Sequence, residues 1–109
     1  MTNRNRNYVN GRAFEYMVKA DLEKRGYLAR RSPGSKSVVD LIAYHRGRCL
    51  LVQCKRGSAR ASKEEKGALL VLAITHDATA LIAEKRKARA PIDYQELRRD
   101  GSLVAWGVA

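Results

Sequence analysis

The stretch that most constrains the fold of this chain is Gly34–Arg56, GSKSVVDLIAYHRGRCLLVQCKR, in which two apolar runs flank a short polar turn. Val38–Tyr44 and Cys49–Cys54 are rich in Val, Ile and Leu, and the turn His45-Arg46-Gly47-Arg48 contains a glycine, so the segment reads as a β-hairpin. Val39, Leu41 and Ala43 are expected on one face, with Ile42, Tyr44 and Leu51 on the other. Strands apolar on both faces belong in the middle of a sheet covered by helices. If Tyr44 faces Cys49 across the turn, Asp40 lies opposite Gln53. Directly opposed side chains have Cβ atoms about 4.5–5.5 Å apart. Strand alternation puts Lys55 on the face of Gln53. A carboxylate, a carboxamide oxygen and an ammonium group are thus gathered at one end of the sheet, a set suited to holding a hydrated divalent cation against a phosphate.

The remaining elements follow from periodicity and punctuation. Met1–Asn7 alternates Asn and Arg without apolar period and reads as a flexible basic arm, with Arg4 and Arg6 as candidate phosphate contacts. A helix is expected from an Asn10 N-cap to Arg25, stopped by Gly26. Its apolar stripe is Phe14, Val18 and Leu22, widened by Ala13, Met17 and Ala20, with Glu15 on the rim. Tyr27–Arg31 reads as a strand, and 32–37, with its Ser, Pro and Gly, as a loop. Beside Arg31 and Lys36, the small hydroxyl residues Ser32 and Ser35 could receive a phosphate.

Gly57–Ala61 is a polar connector. Ser62-Lys63-Glu64-Glu65 fits a capping box and opens a second helix ending near Thr75. That helix is apolar almost all round over Ala68–Ile74, so it is expected between the sheet and a second surface such as a partner subunit. Thr79–Ala83 reads as a strand, followed by the basic run Lys85-Arg86-Lys87-Ala88-Arg89. Ile92–Leu97 and Ser102–Val108 flank an Asp100-Gly101 turn, giving a terminal hairpin with Trp106 against the core.

Together these residues resemble a known family. Asp40, a hydrophobic hairpin and then Gln53-Cys54-Lys55 resemble the PD-(D/E)XK nuclease motif, with Gln in place of the usual acid. Gly11-x-x-x-Glu15 and Arg31-Ser32-x-Gly34-Ser35 narrow the likeness to the archaeal-type Holliday junction resolvases and their phage relatives. The match is good over Asn10–Arg56 and looser beyond. It implies an α/β restriction-endonuclease-like fold, a central mixed sheet flanked by helices, in one nuclease domain. It also implies metal-dependent resolution of four-way DNA junctions, with functional roles for Glu15 and Ser35.

Phosphodiester hydrolysis needs an activated water, charge neutralisation on the phosphate and a stabilised leaving oxygen. A divalent cation supplies all three, and oxygen ligands suit Mg²⁺, with Mn²⁺ as substitute. Asp40 is the principal expected ligand, joined by the Gln53 carbonyl, the Cys54 backbone carbonyl and Glu15. Lys55 would orient the water or stabilise developing charge.

The bulk properties agree with a polyanionic partner. The 109 residues carry 22 Lys and Arg against 11 acids, a formal charge of +11, so phosphate contacts and counterion release are expected. Arg31, Ser32, Ser35, Lys36, Arg56, Lys85, Arg86 and Lys87 are the candidate DNA contacts. Cys49 and Cys54 should point to opposite faces of one strand, which argues against a disulfide, and no apolar stretch has membrane length. A soluble intracellular protein is therefore expected, and the resemblance implies the cytoplasm of a prokaryotic cell, with cellular or phage origin left open. At 12.2 kDa it is too small to cover a junction alone, so a homodimer is expected. Three other readings stay open: a restriction- or repair-type nuclease on duplex DNA, a non-catalytic basic DNA-binding module, and an RNA-processing endonuclease of related fold.

Overall fold

A computed structural model describes residues 3–32 and 37–107, with side chains from residue 11 onward. In chain order its elements are α1 (Asn3–Lys24), β1 (Leu28–Arg31), β2 (Leu41–His45), β3 (Arg48–Arg56), α2 (Lys63–Thr75), β4 (Thr79–Lys85), β5 (Asp93–Leu97) and β6 (Leu103–Ala105). The strands form one mixed sheet in sequence order, β1 through β6. Only β3 and β4 are parallel, because the chain returns between them through α2; every other neighbour is antiparallel.

The central hairpin has the expected register, with Tyr44 opposite Cys49 and Leu41 opposite Val52. Its turn is tight because Arg46 and Gly47 both have positive φ, 49° and 79°, the combination whose twist matches the flanking strands. Alternation along β3 then divides the core. Leu50 and Val52 join Phe14, Val18 and Leu22 of α1, while Leu51 joins Leu69 and Ala73 of α2, so the helices cover opposite faces. The two cysteines follow the same rule: Cys49 packs on the α2 side, Cys54 on the α1 side, and both are free thiols.

Three details depart from expectation. Helix α1 begins at Asn3, so Asn10 lies inside it rather than capping it, and Asn3–Asn7 are helical instead of forming an arm. The stripe Phe14–Val18–Leu22 is buried, but Ala13, Met17 and Ala20 are exposed, because the helix rests on the sheet along one line only. Val39 packs with Leu51 and Ile82 on the α2 face, not with Leu41. The cause is local: Ser37 Oγ accepts from Val39 N at 3.0 Å, a side-chain turn that interrupts the strand just before β2 and breaks its alternation.

Gly26 ends α1 at φ 97°, and a Cβ there would sit 2.9 Å from His45 Cε1, so the stop and the close approach both call for glycine. Ser62 caps α2 through the expected box: Glu65 N donates to Ser62 Oγ at 3.0 Å, and Ser62 N donates to Glu65 Oε1 at 2.9 Å. The terminal hairpin is tied back to α1. Tyr94 donates to Asp21 at 2.6 Å, and Trp106 packs edge-on against the Tyr94 ring.

Candidate active site

The site forms where β2 and β3 leave the turn farthest behind. Asp40 sits one residue outside β2, held on both sides by backbone bonds: its N–H donates to Val52 O at 2.8 Å, and its carbonyl accepts from Ser32 N at 2.9 Å. Its Oδ2 accepts the backbone N–H of Cys54 at 2.8 Å, which locks the carboxylate against β3. Burial pushes the Asp40 carboxyl up to about 6. The Cys54 bond opposes that shift, as does the charge of Lys55, while the charges of Glu15 and Glu65 reinforce it. A half-buried carboxylate among other carboxylates is a place where added positive charge is favourable. The Cys54 thiol is itself driven up by burial and stays protonated, so this residue meets the site through its backbone.

Gln53 and Lys55 project together to the α2 side, as alternation along β3 requires. There they meet a residue that the sequence marked only as a helix cap. Glu65 Oε2 accepts from Gln53 Nε2 at 3.1 Å and from Lys55 Nζ at 2.9 Å. The bond to the Ser62 backbone and that to Lys55 hold Glu65 below its ordinary carboxyl range. Gln53 is only 3% exposed, and its Oε1 has no hydrogen-bond partner among the described residues. A buried carbonyl left in that state costs about 1–3 kcal/mol, an uncommon feature that asks for a missing partner.

Glu15 approaches Asp40 from the α1 side. Both Arg31 bonds fall on its Oε1, from Nη2 at 2.8 Å and Nε at 3.0 Å. The Arg31 guanidinium also lies over the Tyr16 ring, 4.7 Å from its centroid. Arg31, expected as a phosphate contact, is thus first of all the partner that holds Glu15.

The expected donors fit a divalent cation of the Mg²⁺ kind. Among the described residues no three His, Cys, Asp or Glu side chains converge as a ready-made cage. Such a cation, however, keeps several waters and needs only one or two carboxylates with neutral oxygens. Asp40 supplies a carboxylate, and the orphaned Gln53 carbonyl is a neutral oxygen waiting for a partner.

The basic residues also converge. An open cleft of about 700 Å³ is lined by Cys54, Lys55 and Arg56 together with Lys85, Arg86 and Lys87, so the charge run that starts at the last residue of β4 faces the same groove as the end of β3. Parallel pairing of β3 with β4 brings them together, with Lys55 opposite Glu84 and Arg56 opposite Lys85. Glu84 is buried and pairs with Arg86 at 2.8 Å, which steadies the rim. Ser32 is placed beside Asp40 through its backbone. Ser35 and Lys36 lie outside the described residues, as do the side chains of Arg4 and Arg6.

A mixed sheet with one helix on each face, carrying Asp40, Gln53 and Lys55 at the open end of its central hairpin, defines an α/β protein of the restriction-endonuclease-like fold. The model of the family "Archaeal holliday junction resolvase (hjc)" matches residues 6–102, and the chain belongs to that family. The crossover junction endodeoxyribonuclease Hjc of Methanocaldococcus jannaschii is 47% identical over 51 residues. That alignment covers 47% of this chain and 38% of the relative's length. The structure of Archaeoglobus fulgidus Hjc, a Holliday junction resolvase from an archaeal hyperthermophile, superposes with a TM-score of 0.69 at 26% identity, covering 78% of this chain and 70% of that one. No described helix is long and apolar enough to cross a membrane.

Proposed function

We propose that this protein is a metal-dependent endodeoxyribonuclease that resolves four-way DNA junctions by paired phosphodiester hydrolysis. The observation that carries the reading is the set built on β3: Asp40 locked onto the Cys54 N–H, the buried Gln53 carbonyl with no partner among the described residues, and Lys55 lining the basic cleft. Family membership supports junction DNA as the substrate. Asp40 and Gln53 Oε1 would hold Mg²⁺ or Mn²⁺, with the Cys54 backbone carbonyl and Glu15 completing the protein's share directly or through water. When bound, such a cation makes a bound water more acidic and neutralises charge on the phosphate.

The chain's own groups do the rest. Lys55 presents an ammonium group beside Asp40 that orients the attacking water and stabilises charge developing on the phosphate. The Cys54 N–H keeps the Asp40 carboxylate pointed in one direction. Arg56, Lys85, Arg86 and Lys87 receive the DNA backbone along the cleft, while Ser32, Ser35 and Lys36 would meet phosphates beside Asp40.

Two symmetric incisions across a junction call for two active sites, and a homodimer supplies them. The outer side of α2 supports this assembly, because Val71 is 63% exposed and Ile74 44% exposed on a helix whose inner residues Leu69 and Ala73 are buried. Incubation with a synthetic four-way junction and a matched duplex, with and without Mg²⁺, tests the function. Mg²⁺-dependent nicking of the junction in preference to the duplex is expected. Equal cutting of both substrates would favour the duplex nuclease, and junction binding without cutting would favour the non-catalytic module. Sedimentation showing only a monomer at micromolar concentration, even with DNA bound, would sink the dimer.

A further inference from the structure

Position 53 holds a neutral amide where the nuclease motif carries an acid, yet a carboxylate stands at this spot in the folded chain. It comes from helix α2. Glu65 is the third residue of that helix, and the capping box fixes its side chain by joining Oε1 to the Ser62 backbone N–H at 2.9 Å. The second oxygen is thereby turned toward β3. There it accepts from Gln53 Nε2 at 3.1 Å and from Lys55 Nζ at 2.9 Å. One carboxylate oxygen therefore holds both residues of the β3 pair.

The bond to Gln53 has a further consequence. An amide donating its NH₂ group to Glu65 has its orientation set, and its oxygen is then committed to a fixed direction. That oxygen is buried and, among the described residues, without a partner. Without Glu65 the amide could turn and use its NH₂ group elsewhere, and Lys55 would lose the one carboxylate that pairs with it among the described residues.

Building on the metal-dependent reading of the site, we propose that Glu65 is the displaced acid of this active site: a positioning residue that aims the Gln53 carbonyl at the cation, holds Lys55, and returns the negative charge that Gln53 lacks. The alternative role is a helix cap alone.

The two roles separate because Gln at the third helical position also completes a capping box. Glu65→Gln therefore keeps the cap while removing the charge and the oxygen that accepts from Gln53 and Lys55. Mn²⁺ binding to the DNA-free protein, followed by electron paramagnetic resonance, is measured for the parent, Glu65→Gln, Gln53→Glu/Glu65→Gln and Ser62→Ala, with thermal melts alongside. Glu65→Gln should weaken Mn²⁺ binding at least tenfold. The double variant, which returns the carboxylate to position 53, should recover to within about threefold of the parent. Ser62→Ala, which damages the cap while leaving Glu65 in place, should lower the melting temperature and leave Mn²⁺ affinity within twofold.

Mn²⁺ affinity unchanged in Glu65→Gln, or a double variant as weak as the single one, would overturn the displaced-acid role. Equal loss of affinity in Ser62→Ala and Glu65→Gln, tracking the loss of stability, would do the same. A parent that nicks junctions while Glu65→Gln binds Mn²⁺ normally removes this inference and leaves the nuclease reading intact. A parent that neither binds Mn²⁺ nor nicks takes both down.

Discussion

Two helices bring a carboxylate to Asp40 from opposite faces of the sheet, and they hold it in different ways. Glu15 comes from the middle of α1 and is gripped by Arg31 of the edge strand β1, a side chain sixteen positions away. Glu65 comes from the first turn of α2 and is gripped by the backbone of Ser62, three positions away. The α1 corner is assembled by tertiary packing: shift α1 along the sheet and Glu15 loses Arg31. The α2 corner is assembled locally and delivered whole. The corners also differ in what they reach. Among the described contacts Glu15 touches Arg31, whereas Glu65 touches both Gln53 and Lys55. The first is set to balance charge beside Asp40, the second to organise the residues opposite it.

The largest effect belongs to the residue both corners serve. Asp40→Asn keeps the shape but removes the charge of the proposed principal ligand, and should lower cleavage about a thousandfold while junction binding stays within severalfold. A rapid Asp40→Asn enzyme in single-turnover assays would show that neither corner surrounds the active site.

Next come the cations that hold each corner. Lys55→Ala removes the ammonium group proposed to face the phosphate and should cost about a hundredfold in cleavage. Arg31→Ala frees Glu15 without touching that group, and its cost should be nearer tenfold, partly recovered at higher Mn²⁺. Equal losses in kcat, with equal metal midpoints, would make the two corners equivalent and break the comparison.

Gln53 sharpens it further. Gln53→Ala should raise the metal concentration needed for half-maximal cleavage, and Gln53→Glu should lower it, because a charge is added at the same reach. Identical metal midpoints for the parent and both variants would remove Gln53 from the ligand set.

The pH response is smaller and has a definite sign. Burial raises the Asp40 carboxyl to about 6, above its ordinary value of 3.8, with Glu15 and Glu65 adding to the shift. A group raised on folding favours the folded state at low pH, and that contribution is lost as pH rises through the folded value. Metal-free protein should therefore lose thermal stability as pH rises from about 4 to 6, and Asp40→Asn should flatten this part of the profile. Saturating Mn²⁺ should reverse the trend, since the cation binds the ionised form. Melts that rise over this range without metal would contradict the placement of Asp40 between the two acids.

The smallest effect concerns the cleft. Neutralising Lys85, Arg86 and Lys87 together should flatten the salt dependence of junction binding by up to about 0.9 log unit per lost phosphate contact. An unchanged slope would assign that run to solvent.

The parts of the molecule legible in the sequence are those whose physics is local. Alternation and a Gly-containing turn determined the central hairpin and its register, the 3.6-residue period determined Phe14, Val18 and Leu22 as the buried line of α1, and the S-x-x-E pattern determined the cap of α2. The same locality explains the misses. Nothing in the asparagine-arginine repeat signals that helix α1 starts at Asn3, and nothing near Met17 or Ala20 reports how narrow the sheet contact is. The Ser37 turn that moves Val39 across the sheet is itself local, but a serine in a Ser-rich loop does not announce which backbone N–H it will take.

The site divides in the same way. Asp40, Gln53 and Lys55 stand out in sequence because a hairpin places residues by counting along two adjacent strands. Glu65 was visible only as a cap, since a capping box specifies which oxygen the backbone takes and says nothing of what meets the other. That was decided by the crossover that lays α2 over β3, just as the packing of α1 decided that Arg31 would hold Glu15. Hydrogen bonds within a few residues are encoded by spacing. Those between elements depend on how two surfaces are brought together, and only the tertiary structure carries that information.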